Sequence, residues 1–117
     1  MRASVALLLA LTLAFTHPAL AGERKFTGAE IKAELTGHVF ISETDGRKTE
    51  QDFMASGSTM YTDGGNVSQG LWEVRGDQYC SQWPPHEAWA CYDVTVDGQT
   101  LTFIGSSGRR FPVVRKD

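Results

Sequence analysis

The sequence has few of the residues and none of the motifs on which common enzymes depend. It contains only two cysteines and three histidines in 117 residues. No Gly-x-Ser-x-Gly elbow, phosphate-binding loop or His-Glu-x-x-His pair occurs in it. These are the motifs of many hydrolases, nucleotide-binding enzymes and zinc proteases. We therefore expect no catalytic residues, no cofactor and no enzymatic activity.

The chain also has no large excess of positive or negative charge. The chain has 11 Lys and Arg and 14 Asp and Glu, which give a formal net charge of −3. These charges are interspersed, and no basic stripe with interleaved aromatic residues is present. Proteins that bind nucleic acid need such a stripe to hold the phosphate backbone. Nucleic acid is therefore excluded as an expected partner.

The single long apolar run lies at the N-terminus, over residues 5–15, after an arginine and before Ala19-Leu20-Ala21. This order of charge, apolar run and small-residue box is typical of a secretory signal peptide. The run is too short to span a bilayer comfortably, and no cysteine follows the box to carry a lipid. We expect residues 1–21 to be cleaved and residues 22–117 to form a single β-rich domain. That domain would be periplasmic or secreted, without stable membrane insertion.

One clear helix signal follows. Thr27 can cap a helix, and Glu30 three residues later completes a capping box. Phe26 and Ile31 stand at the two positions of a hydrophobic staple, and Gly37 suits the residue after the helix end. The pattern predicts a helix of about nine residues with a narrow apolar edge, able to cover a core but not to form one.

After Gly37 the sequence indicates short strands separated by turn residues. With no second helix signal, this spacing favours a mainly β fold. We predict a small antiparallel up-and-down barrel or sandwich of about eight strands with one short N-terminal helix. The predicted strands are 38–43, 47–55, 58–62, 67–75, 78–83, 88–96, 99–104 and 109–114.

Three turns allow the strand registers to be predicted. They are Gly76-Asp77, Asp97-Gly98 and Ser106-Ser107-Gly108. Read as tight hairpins, they pair Val74 with Tyr79, Val94 with Leu101, Tyr92 with Phe103, and Phe103 with Phe111. These registers place nine large side chains on one face, which we predict to be the core. The nine are Trp72, Val74, Tyr79, Tyr92, Val94, Leu101, Phe103, Phe111 and Val113.

The same registers bring the two cysteines together. Cys80 comes directly opposite Cys91 when Tyr79 faces Tyr92, and residues 84–87 then form a four-residue loop. Cross-strand cysteines have the separation that a disulfide requires, and an exported domain meets an oxidising compartment. We therefore predict one intramolecular disulfide. Oxidised thiols cannot bind zinc, so we expect no metal site at His86 and Glu87 beside them.

The hairpin around the cysteines carries the candidate binding surface, Trp83, His86 and Trp89. Exposed aromatic residues beside a loop stiffened by proline are typical contact points for a partner. For Trp89 there is an alternative, because its predicted position opposite the core would let it cover the disulfide. A small hydrolase that uses His86 and Glu87 is a further, less favoured alternative.

A string of short motifs runs through the chain: Leu35-Thr36-Gly37, Gly70-Leu71-Trp72, Gly76-Asp77, Cys80, Trp83, Cys91 and Asp97-Gly98. This string resembles a family of small exported Gram-negative bacterial proteins classed as a domain of unknown function. More distantly, its Gly-x-Trp strand and disulfide are similar to lipocalin-type barrels and to periplasmic inhibitors of secreted metalloproteases. The resemblance covers residues 30–114 and implies a periplasmic β-rich domain with a disulfide.

The sequence thus favours an exported, non-enzymatic binding or accessory domain for an unknown protein or small ligand. The inhibitor resemblance implies an alternative function, in which a short N-terminal arm over residues 22–25 enters a protease cleft. The sequence leaves open whether the strands enclose a cavity for an apolar ligand or surround a filled core.

Overall fold

The computed structural model describes residues 22–117, so the predicted signal peptide lies outside the described residues. Within this range the chain forms one helix and nine strands. All eight predicted strands are present, with ends that differ from the prediction by at most two residues. The elements are β1 (Arg24–Lys25), α1 (Gly28–Leu35), β2 (His38–Thr44), β3 (Arg47–Phe53), β4 (Ser58–Asp63), β5 (Asn66–Arg75), β6 (Gln78–Gln82), β7 (Trp89–Asp97), β8 (Thr100–Ile104) and β9 (Arg110–Arg115).

Strands β2 to β9 form a closed antiparallel barrel. Each of them pairs with the next in the chain, and β9 closes the barrel by pairing with β2. At this closure Ile41 lies opposite Val114 and Phe40 opposite Arg115. Closure leaves the barrel wall without the two open edges that a sandwich of sheets would have. Of the two predicted architectures, the up-and-down barrel is therefore confirmed.

Helix α1 packs across one end of this barrel. Its capping box is formed as predicted: Thr27 Oγ1 accepts from the Glu30 backbone N–H, and the Glu30 carboxylate accepts from the Thr27 N–H. Ile31 and Leu35 are fully buried in the barrel core. The Gly28 N–H donates to Asp77 Oδ1 in the β5–β6 turn and anchors the helix start there (2.7 Å). Nowhere in residues 22–117 is a helix long and apolar enough to cross a membrane.

The core fills the half of the barrel next to α1. All nine side chains predicted for one face belong to this core or pack against it. The sequence prediction missed Phe53, which is fully buried at its centre. The Phe53 ring lies edge-on to the rings of Phe40, Trp72, Tyr79 and Phe103, with centroids 5.4–6.2 Å apart. Edge-to-face contacts of this kind stabilise a core beyond the area they bury.

The predicted register of β7 and β8 is wrong, because the turn between them lies one residue later in the chain than expected. The β7–β8 hairpin pairs Val94 with Phe103 and Val96 with Leu101, whereas we expected Val94 opposite Leu101. Gly98, with φ of +59°, takes the first position of the two-residue loop instead of the second. The side chains keep their predicted face because a total displacement of two residues preserves the alternation of a strand. The other two registers, which pair Val74 with Tyr79 and Phe103 with Phe111, are confirmed.

A ninth strand, β1, was not predicted. Arg24 and Lys25 pair with Val96 and Thr95 on the part of β7 that lies beyond the start of β6. The Phe26 N–H continues this pairing by donating to the Val94 carbonyl (2.8 Å). Three charged contacts add to it: Lys25 with Asp93 of β7, Arg24 with Glu30, and Glu23 with Arg110. The residues that the sequence suggested as a free arm are thus attached to the barrel wall.

Candidate functional site

The half of the barrel away from α1 is not filled. It contains a cavity of about 700 Å³ that opens between the N-terminal half of β5 and the loop after β6. This volume lies within the range of ordinary small-molecule sites, about 300–1,000 Å³. Seven aromatic side chains contribute to the cavity wall: Phe40, Tyr61, Tyr79, Trp83, Tyr92, Phe103 and Phe111. One half of the barrel interior is therefore filled core, and the other half holds a cavity that opens to solvent.

Trp83 lies on the wall of this cavity. Its ring meets the Tyr61 ring edge-on, with centroids 6.2 Å apart. Its indole Nε1–H donates to Ser81 Oγ two residues earlier (3.1 Å). Because one hydrogen bond and one aromatic contact hold the indole, its orientation is set before any ligand arrives.

A polar network runs along one side of the cavity. The Thr59 hydroxyl donates to the Asp52 carbonyl (2.9 Å), so its oxygen can only accept from Gln51. Gln51 Nε2 donates to Thr59 Oγ1 (3.0 Å) and to the Tyr79 hydroxyl oxygen (2.8 Å). These two bonds use both hydrogens of the amide and fix which of its ends is the nitrogen. The orientation of Gln51 is thus determined by its neighbours.

Tyr79 joins this network to Trp83. Its phenol is 3% exposed, and burial raises its pKa to about 12. Hydrogen bonds with Ser81 and Gln51 lower the pKa but do not offset the burial. The phenol is therefore neutral throughout the physiological range. Ser81 also accepts the hydrogen bond from the Trp83 indole.

The cavity carries little charge. Among the described residues no Asp, Glu, Lys or Arg lines it. The one histidine on the wall is His86, which is exposed at the mouth together with Pro84 and Pro85. The His86 backbone N–H donates to the Trp83 carbonyl (2.9 Å) and holds the loop in a turn. The interior is suited to an uncharged molecule, because a buried charge needs a partner that these walls do not provide.

The structure separates the three residues predicted as one binding surface. Trp83 and His86 line the cavity, whereas Trp89 lies half-buried on the outer wall. There the Arg75 guanidinium lies 4.5 Å from the centre of the Trp89 ring, close enough for a cation–π contact. Trp89 is opposite Gln82, beside the disulfide, which agrees with the alternative that it covers the bridge.

The predicted disulfide is confirmed. Cys80 and Cys91 are directly opposite on β6 and β7, with their Cα atoms 4.1 Å apart, and their sulfurs are bonded. Residues 22–117 contain no free cysteine. The bridge lies on the outer face, on the strands that lead into and out of the loop at the cavity mouth. It therefore ties together the two strands from which that loop extends.

Sequence reasoning missed three residues that shape the cavity, Gln51, Tyr61 and Ser81. The sequence of β3 is polar even at its inward positions, which are occupied by Thr49 and Gln51. Apolar residues at these positions would have indicated which face of the strand points to the core. The available signal was the turn at Asp45-Gly46. Counting alternate residues from that turn places Thr49, Gln51 and Phe53 on one face.

No group of three or more His, Cys, Asp or Glu in residues 22–117 is arranged to hold a metal ion. No protein-family model matches the chain, and no curated protein or solved structure is found to be similar to it.

Proposed function

We propose that this protein is an exported, non-enzymatic domain that binds a small molecule inside its barrel. The observation that carries the proposal is the cavity of about 700 Å³, walled by aromatic rings and open at one end. Export is supported by the N-terminal signal pattern and by the disulfide between Cys80 and Cys91. No catalytic step is assigned to His86 or Glu87.

Binding would draw on burial of the ligand in a site that is already formed. Removing apolar surface from water stabilises a complex by about 25 cal/mol per Å². The closed barrel, the disulfide and the hydrogen-bonded Trp83 hold the walls in place, so little order has to be gained on binding. The shape therefore favours a small ligand over a protein partner, whose surface could not enter the cavity.

The alternative of a protease inhibitor gains no support from the geometry. Its arm would need to project from the domain, but Arg24 and Lys25 are paired with β7. Entering a protease cleft would first require these backbone hydrogen bonds and the Glu23–Arg110 contact to break.

Titration with N-phenyl-1-naphthylamine tests the proposal. This uncharged dye gains fluorescence when it leaves water for an apolar site. A matched pair of variants on β3 locates the site: Thr49→Trp places an indole inside the cavity, and Lys48→Trp places the same group on the outer surface. We expect the wild-type protein to bind the dye, Thr49→Trp to bind it about tenfold more weakly or not at all, and Lys48→Trp to bind normally.

Two results would refute the proposal. The first is that wild-type protein causes no change in dye emission at any concentration tested. The second is that Thr49→Trp, shown to be folded by circular dichroism, binds the dye as tightly as Lys48→Trp.

A further inference from the structure

We propose that the ligand is an uncharged, flat aromatic or conjugated molecule that donates an N–H or O–H hydrogen bond to Gln51 Oε1. This inference rests on the proposed function, since it names the class of molecule that the cavity holds. Three features of the cavity support it: the absence of charged walls, the position of the aromatic rings, and one acceptor without a partner.

The lack of charge follows from the lining. No Asp, Glu, Lys or Arg of residues 22–117 lines the cavity, and the Tyr79 phenol is neutral. A charged group placed beside Gln51 would lose its hydration without gaining an opposite charge, which is strongly unfavourable. A charge on the ligand is tolerated only near the mouth, where His86 is exposed to solvent.

The flat shape follows from where the rings come from. Tyr61 on β4 and Trp83 after β6 form one part of the cavity wall, and the cross-strand pair of Phe103 on β8 and Phe111 on β9 forms another. Tyr61 and Trp83 already meet edge-on. Aromatic rings favour offset-stacked or edge-on contacts with another ring, and such contacts add to the gain from burial. A planar ring system can make several of these contacts at once.

The hydrogen-bond donor follows from Gln51. Both hydrogens of its amide are used on Thr59 and Tyr79, and the Thr59 hydroxyl is committed to the Asp52 carbonyl. The amide therefore cannot reverse, and its Oε1 accepts no hydrogen bond from the described chain. Gln51 lines the cavity, so this oxygen is available to a ligand. An acceptor covered by a ligand without a donor would lose its bond to water, which weakens binding.

Three related probes test this inference on the wild-type protein. They are N-phenyl-1-naphthylamine, its N-methyl derivative, and 8-anilino-1-naphthalenesulfonate. The derivative has no N–H, and the sulfonate places a negative charge beside the N–H of the same ring system. We expect the N-methyl compound to bind about 3- to 10-fold more weakly than the parent, and the sulfonate to bind more than about tenfold more weakly.

A variant then locates the acceptor. Gln51→Met keeps the side-chain length but removes the oxygen, and the matched control Glu50→Met makes the same change on the outer face of β3. Gln51→Met should weaken binding of the N–H probe by about 3- to 10-fold and leave the N-methyl probe unchanged. Glu50→Met should leave both unchanged.

The outcomes separate the inference from the function on which it rests. If the parent dye does not bind, the proposed function fails and the inference fails with it. If the sulfonate binds as tightly as the parent, the ligand is not required to be uncharged, although the cavity still binds a small molecule. If the N-methyl probe binds equally well, or if Gln51→Met weakens both dyes equally, the assigned hydrogen bond is refuted. The probe comparison needs no variant, so a Gln51→Met protein that fails to fold does not prevent the decision.

Discussion

The indole of Trp83 lies directly against the backbone of Gly70. A Cβ atom at Gly70 would be 2.7 Å from Trp83 Cε3 and 2.5 Å from the Gln82 carbonyl oxygen. No side chain can occupy that space without moving β6 or the indole away from β5. Trp83 at the cavity wall therefore packs against Gly70, the glycine of the Gly-x-Trp motif whose own tryptophan is Trp72.

This contact predicts that Gly70→Ala both destabilises the protein and alters the cavity. Forcing a methyl group into a filled position costs about 1–3 kcal/mol. Urea denaturation should show this loss, and binding of N-phenyl-1-naphthylamine should weaken because Trp83 is displaced. The control is Gly65→Ala in the β4–β5 turn, where no atom lies within 4 Å of the added Cβ. Equal stability of the two variants would contradict the assigned contact.

The disulfide predicts a second effect on stability. Replacing both Cys80 and Cys91 by serine removes a cross-link between residues 11 apart in sequence. The unfolded chain then regains the freedom of that loop, which should lower the free energy of unfolding by about 2–3 kcal/mol. For a domain of this size the melting midpoint should fall by about 8 °C or more.

Mass spectrometry checks the disulfide itself. Intact mass before and after alkylation under non-reducing conditions should show no reactive thiol in the wild-type protein. Two alkylated cysteines in protein recovered from an oxidising compartment would contradict the pairing of β6 with β7.

Burial of Tyr79 predicts a loss of stability in alkaline solution. The folded protein holds the phenol proton up to about pH 12, whereas the unfolded chain releases it near the ordinary tyrosine pKa of 10.0. The stabilisation of the folded state by the neutral Tyr79 phenol is therefore complete below pH 10 and is lost as the pH rises toward 12. A shift of this size corresponds to about 2–3 kcal/mol. Denaturation at several pH values should show a smaller alkaline decline in Tyr79→Phe than in wild type, and parallel curves would refute the assignment.

Attachment of the N-terminus predicts that residues 22–25 stabilise the barrel. Deleting them removes the pairing of Arg24 and Lys25 with β7, at an expected cost of about 1–2 kcal/mol from lost backbone hydrogen bonds. The double variant Glu23→Gln, Arg24→Gln keeps the backbone but removes two exposed ion pairs, which contribute little. Thermal denaturation should therefore show a clear loss for the deletion and little change for the double variant. A deletion with an unchanged midpoint would show that β1 does not stabilise the barrel.

Much of the fold could be predicted from the sequence because its signals are local. The capping box at Thr27 and Glu30 determines where α1 begins, and glycine-containing turns mark the ends of most strands. The turn at Gly76-Asp77 defines the register of β5 and β6, and that register led to the pairing of Cys80 with Cys91. A loop of two residues and a strict alternation of side chains carry this information without reference to the rest of the chain.

The candidate site could be predicted only in part. Trp83 and His86 were identified because aromatic residues and prolines concentrate around the cysteines, and the structure places both at the cavity. Strand alternation predicts Trp89 on the face opposite the core, and the structure places it there, away from the cavity. Gln51 and Tyr61 come from distant strands, and nothing in their local sequence connects them with Trp83.

The elements of this protein, the face of most strands and the disulfide can thus be predicted, since each follows from residues close together in the chain. Three features depend instead on contacts between distant parts of the chain: the sheet closes on itself, α1 fills one end, and the other end holds a cavity. Closure depends on β2 meeting β9, which lie more than 60 residues apart. Whether a barrel interior is filled depends on the combined volume of side chains from all its strands, a quantity that no local pattern contains.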